Sequence, residues 1–122
     1  MSEPARRGRK VVAAVDDVFF ISKLENASRA TGVPLQYVAN REELLAAAGA
    51  GSLVLLDLDA PAYDPINVIP ELRALRGVRT IAFLSHVETD LARRARDAGA
   101  DHVMARSRFF AQIADLLKES RA

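Results

Sequence analysis

The chain has 122 residues, half of them hydrophobic, with a formal net charge of +1 and no cysteine. That length suits one domain with a real core, and the missing thiols exclude disulfides, thiolate metal sites and cysteine nucleophiles. No apolar run approaches the ~18–20 residues of a membrane helix, and Asp16-Asp17 interrupts any signal-type apolar region early, so a cytoplasmic protein without membrane contact is expected.

Residues 1–10 carry Arg6, Arg7, Arg9 and Lys10 against Glu3, a local excess of three positive charges, so the remainder carries −2. This segment reads as a basic, disordered leader to a single domain over 11–122. No second basic face accompanies it, so nucleic acid is not an expected partner.

The first apolar run, 11–15, ends at Asp16-Asp17, and a second, 53–56, ends at Asp57. Continuous β-branched and aliphatic runs of this length read as strands buried on both faces, as in a parallel sheet. Between them the pattern predicts a helix over 18–31, with Phe20, Leu24 and Ala27 on one face and Gly32-Val33-Pro34 as the stop. A short strand over 35–38 follows. Asn40-Arg41-Glu42-Glu43 then opens a second helix in capping-box fashion, closed by Gly49-Ala50-Gly51.

After Asp57 a loop of Asp59, Pro61, Asp64 and Pro65 leads to a helix ending at Arg76 before Gly77, with Pro70 predicting a kink or a late start. Residues 79–84 form a fourth strand, 88–98 an Arg-rich amphipathic helix closed by Gly99, and 102–105 a fifth strand. A last helix over 109–118 presents Phe110, Ile113, Ala114 and Leu117 on one face. Five strands alternating with five helices predict an α/β, three-layer doubly wound parallel sheet with right-handed crossovers. Phe19, Phe20, Phe109 and Phe110 are expected in core and helix contacts, and Arg93-Arg94-Ala95-Arg96 on a solvated helix face.

In such a sheet the carboxyl ends of strands line the ligand crevice, so Asp16, Asp17 and Asp57 should converge. At about 4 Å and an effective dielectric near 20, each like-charge pair costs about 4 kcal/mol. A hard divalent cation with oxygen ligands is the natural counterweight. His86 and His102 do not form a metal pair, because they fall at opposite ends of their strands; His86 reads as a surface or gating residue.

Paired acids after strand one, a single Asp after strand three, Ser85 after strand four and a basic residue after strand five resemble the receiver domain of bacterial response regulators. The stretch Asp57-Leu58-Asp59-Ala60-Pro61 is similar to that family's phosphoacceptor motif, and the likeness spans roughly Val11 to Lys118. The resemblance implies a flavodoxin-like, five-stranded sheet in the order 2-1-3-4-5. It also implies phosphorylation of Asp57 by a histidine kinase, with Ser85 and the basic residue touching the phosphoryl group. Mg²⁺ would be held by Asp17 directly, by Asp16 through water, by Asp57, and by the backbone carbonyl of Asp59.

Three positions depart from the family pattern. Its lysine falls on Arg106, a forked guanidinium able to clamp Asp57 itself. Its following proline falls on Ser107, so a trans Arg106–Ser107 bond and a displaced loop are expected. Its aromatic switch residue falls on Val103. The expected function is therefore a stand-alone receiver-like signalling protein, an atypical phosphorelay component with no enzyme activity of its own. It would act through contacts with a histidine kinase or a downstream signalling protein, as a monomer or weak homodimer. The family's contact face implicates Arg93, Arg94, His102 and the terminal helix.

The alternative is an ordinary Mg²⁺-dependent phosphoacceptor at Asp57. Third in order is a haloacid-dehalogenase-like phosphatase, suggested by Asp57-Leu58-Asp59 but opposed by the order of the acids along the chain. An FMN carrier is excluded, because Asp16-Asp17 would repel the cofactor phosphate.

Overall fold

The structure, a computed structural model, describes residues 9–120. Five strands, β1 (Val11–Ala14), β2 (Leu35–Tyr37), β3 (Leu53–Asp57), β4 (Arg79–Leu84) and β5 (His102–Ala105), form one parallel sheet in the order β2-β1-β3-β4-β5. Five helices connect or follow them: α1 (Val18–Thr31), α2 (Arg41–Ala47), α3 (Pro65–Arg73), α4 (Asp90–Ala98) and α5 (Arg106–Ser120). A 3₁₀ turn over Pro61–Tyr63 precedes α3. The order reverses between β1 and β3, which pair in register from Val11 with Leu53 to Ala14 with Leu56. Crevices for ligands open at such reversals.

The continuous apolar runs are central strands because both their faces are covered. In β1 and β3 every residue is buried, and alternate side chains serve opposite layers. Val12, Ala14, Val54, Leu56, Ala82 and Leu84 face α2, α3 and α4, where Tyr63, Val68, Ile69 and Leu72 complete an aliphatic core. Val11, Ala13, Leu53, Leu55, Ile81 and Phe83 face α1 and α5, meeting Leu24, Phe109, Ile113 and Leu117. This second layer is aromatic at its centre: Phe83 stacks on Phe109 at 4.3 Å between centroids, and Phe110 meets both rings edge-on.

Local sequence signals account for the helix ends. Asp17 Oδ1 accepts the Phe19 and Phe20 amides at 2.8 and 3.2 Å, capping α1. Asn40 Oδ1 accepts the Glu43 amide, and Glu43 Oε1 in return accepts the Ala39 amide, both at 2.9 Å. Gly99 ends α4 with φ 116°, where a Cβ would lie 2.5 Å from Arg73 Cδ.

Four expectations are corrected. Phe19 is 75% exposed rather than core, because one residue along a helix turns it about 100° away from Phe20's buried face. Helix α3 begins at Pro65 without a late start and stops at Arg73; Pro70 sits inside it on the exposed side. Helix α4 begins at Asp90, not Glu88, because the Thr89 hydroxyl accepts the Ala92 amide and sets the cap there. Helix α5 begins at Arg106, directly after β5, so no displaced loop intervenes. No peptide bond among the described residues is cis, and Arg106–Ser107 is trans as expected.

Of the leader, residues 1–8 lie outside the described residues. Arg9 donates its amide to the Ser120 carbonyl at 2.8 Å, and the Lys10 carbonyl accepts the Leu53 amide. No helix among the described residues is long and apolar enough to cross a membrane.

Candidate functional site

Asp57 closes β3 at the point where strand order reverses, and only 5% of it is exposed. Its Oδ1 accepts the Asp59 amide at 2.9 Å, in a turn closed by the Ala60 amide on the Asp57 carbonyl. Burial pushes the Asp57 carboxyl above the ordinary carboxylate range. The Asp59 amide opposes that shift, the Asp59 charge reinforces it, Arg106 opposes it and Asp16 adds to it. Tyr63, buried nearby, is raised to about 12 by burial and by the charges of Asp16, Asp57 and Glu43.

Asp16, Asp59 and Arg106 stand close enough to Asp57 for their charges to act on it, and Ser85 joins them through its amide on Asp59 Oδ2. Asp16 and Asp17 are exposed in the β1–α1 turn, and Asp17 spends one oxygen capping α1. Ser85 follows β4 and is exposed; His86 beside it is exposed too, its carbonyl accepting the Thr89 hydroxyl. His102 begins β5 at the far end, opposite Ile81 in the ladder. Val103 is half-buried against the aliphatic core, leaving the switch position without a ring. Arg93 and Arg94 are exposed on α4, where Arg93 pairs with Asp90.

Arg106 differs from expectation. Among the described residues its ion pair is with Asp59 Oδ2 at 3.7 Å, not with Asp57. Asp57 lies deep at the strand end, whereas Arg106 opens α5 with its guanidinium over the Phe20 ring, 4.7 Å from the centroid. From that platform the shallower Asp59 is the acid within reach. The same Asp59 oxygen accepts the Ser85 amide at 2.9 Å.

Sequence reasoning therefore missed two participants. The family pattern points to the Asp59 backbone carbonyl rather than its side chain, and Phe20 is a support for the guanidinium as well as a helix contact. An acid two residues past Asp57, within a turn, was the available signal. Beside Arg106 a cleft of about 870 Å³ opens between α1 and α5, lined by Phe20, Lys23, Ser85, Ser107 and Phe110 among others.

The donor set suits Mg²⁺ in kind: Asp16, the second oxygen of Asp17 and the second oxygen of Asp57 are hard oxygen ligands. No three acidic or histidine side chains among the described residues are grouped to hold a metal ion. Within the expected set of Asp16, Asp17, Asp57 and Asp59, Asp17 caps α1 with one oxygen, and the Asp59 side chain engages the Ser85 amide and Arg106.

No protein-family model matches the chain, and no curated protein matches it. Many solved structures similar to it are response-regulator receiver domains. One is a response regulator from Hahella chejuensis, with a TM-score of 0.77 at 20% identity, covering 89% of this chain and 92% of that one. Another is the receiver domain of a sensor histidine kinase from Pseudomonas aeruginosa, with a magnesium ion coordinated in its active-site cleft. It has a TM-score of 0.76 at 19% identity, covering 93% and 97%. A response regulator from Thermotoga maritima gives 0.73 at 16% identity, covering 92% and 96%. The fold is the receiver fold.

Proposed function

We propose that the chain is a receiver-like signalling module that acts through protein contacts while Arg106 holds its acid pocket in one state. The observation that carries this reading is the engagement of Arg106. A forked, permanently charged group stands where the family has lysine, tied to Asp59 and stacked on Phe20. Such a group supplies the pocket with a positive charge that needs neither metal nor phosphate. The half-buried valine at the switch position supports the same reading, since no ring is there to report phosphorylation to a partner. Partners are then a histidine kinase or a downstream signalling protein, met on the face of α4, β5 and α5 by a monomer or weak homodimer.

The second reading is an Mg²⁺-dependent phosphoacceptor. Asp57 favours it, being a buried carboxylate at the strand-order reversal with only one oxygen engaged in the turn, and the magnesium-bearing Pseudomonas aeruginosa domain shares the fold. In that case Mg²⁺ would neutralise charge on the incoming phosphoryl oxygens, with Asp16, Asp17 and Asp57 as its ligands. Incubation with Mg²⁺ and acetyl phosphate, followed by intact-mass measurement, separates the two. The held-state reading expects no adduct on the parent chain and an adduct on Arg106→Lys. A phosphoryl adduct on the parent chain that vanishes in Asp57→Asn would establish the second reading instead.

A further inference from the structure

We infer that Asp59 is a built-in occupant of the phosphoryl position, its carboxylate taking the contacts that a phosphoryl group on Asp57 would need. This rests on the receiver-like reading above and adds to it the group that blocks the site. Three contacts converge on this one residue. Its amide is donated to Asp57 Oδ1 at 2.9 Å, its Oδ2 accepts the Ser85 amide at 2.9 Å, and the same Oδ2 faces the Arg106 guanidinium at 3.7 Å. Asp59 therefore binds the acceptor through its backbone and covers the anion-binding groups with its side chain.

Neither end of the arrangement is free to drift. The Asp59 backbone lies in a turn anchored by the Leu58 amide on the Phe83 carbonyl and the Ala60 amide on the Asp57 carbonyl. Arg106 is steadied from the opposite side by the Phe20 ring. A carboxylate and a phosphoryl group are alike to these donors, since both are oxygen anions recognised by N–H groups and guanidinium. An incoming phosphoryl group must displace the Asp59 oxygen from Ser85 and Arg106 and approach against its negative charge. With the carboxylate in place, the pocket already has the anion that phosphorylation would bring.

The step at issue is a simple transfer. An Asp57 oxygen forms the new O–P bond as the bond to the acetate oxygen of acetyl phosphate breaks, and acetate leaves with the electron pair; nothing is oxidised or reduced. The test compares the parent chain, Asp59→Ala, Asp59→Ala with Asp57→Asn, and Arg106→Lys, each with Mg²⁺ and acetyl phosphate. Adduct formation is followed by intact mass, and the Ser85 amide by NMR before any phosphodonor is added.

Loss of the Asp59 acceptor should move the Ser85 amide resonance. It should also raise adduct formation at least about tenfold, the scale set by release of one charge-assisted hydrogen bond. The gain should disappear in the double variant. An adduct that forms on the parent chain, and to the same extent on Asp59→Ala, would overturn the inference and the held-state reading with it. Adduct on Arg106→Lys but none on a folded Asp59→Ala would overturn the inference alone, leaving the guanidinium as the block. No adduct on any variant, or an unmoved Ser85 amide, would likewise overturn it while leaving a phosphorylation-independent module in place.

Discussion

The two faces of the sheet are built from different materials. The face under α2, α3 and α4 is aliphatic and closes around one tyrosine, whereas the face under α1 and α5 has phenylalanines at its centre. The aliphatic face fills space with small, branched side chains and secures its polar group by a single buried bond, Tyr63 hydroxyl to Val38 carbonyl at 2.7 Å. The aromatic face extends further: Phe20, packed edge-on to Phe83 at 6.2 Å, continues the cluster up to the strand ends and carries Arg106. The aromatic face is thus joined to the pocket's basic group through Phe20. What supports the fold on one side also positions the chemistry.

The sharpest test of that difference is Phe83→Ala. Phe83 is fully buried and touches Phe20, Phe109 and Phe110, so its loss should cost about 3–5 kcal/mol in denaturant unfolding. It should also loosen Arg106, seen as a changed guanidinium resonance. A destabilisation without any change at Arg106 would break the link between core and pocket. On the other face, Tyr63→Phe keeps the ring and removes the hydroxyl. It strands the buried Val38 carbonyl and should cost about 1–3 kcal/mol, with no effect on Arg106. An Arg106 response to Tyr63→Phe would erase the contrast.

How far the sequence showed this depends on the range of the interaction. Strands β3, β4 and β5 and helix α1 end where their apolar runs and breakers end, because those signals act over a few residues. The Asn40 and Glu43 capping pair is legible for the same reason. The start of α5 was not legible. A strand running straight into a helix has no cap or glycine to mark it, and the pattern set in only at Phe109. The choice of Arg106 between Asp57 and Asp59 was invisible too, since it depends on the depth of one acid and on a ring contributed by α1. The location of Asp57 at the reversal of strand order could be anticipated; the groups that Asp59 engages could not.

The smallest expected effect concerns Asp57 itself, and its sign distinguishes a buried acid from a solvated one. The folded chain holds the Asp57 proton more tightly than the unfolded chain does, because burial outweighs the opposing contributions of the Asp59 amide and Arg106. Below the ordinary value of 3.8 both states are protonated and the residue has no ionisation cost. As pH rises from there through the raised folded value, the unfolded chain ionises more readily, so Asp57 lowers stability across that window and by a constant amount above it. Asp57→Asn removes this descending limb. At pH 7 the variant should melt above the parent, by less than either core variant falls below it, and the advantage should vanish below the ordinary carboxylate range. A variant that melts lower than the parent at pH 7 would mean that the negative charge of Asp57 is wanted by its neighbours, with Arg106 turned toward it after all.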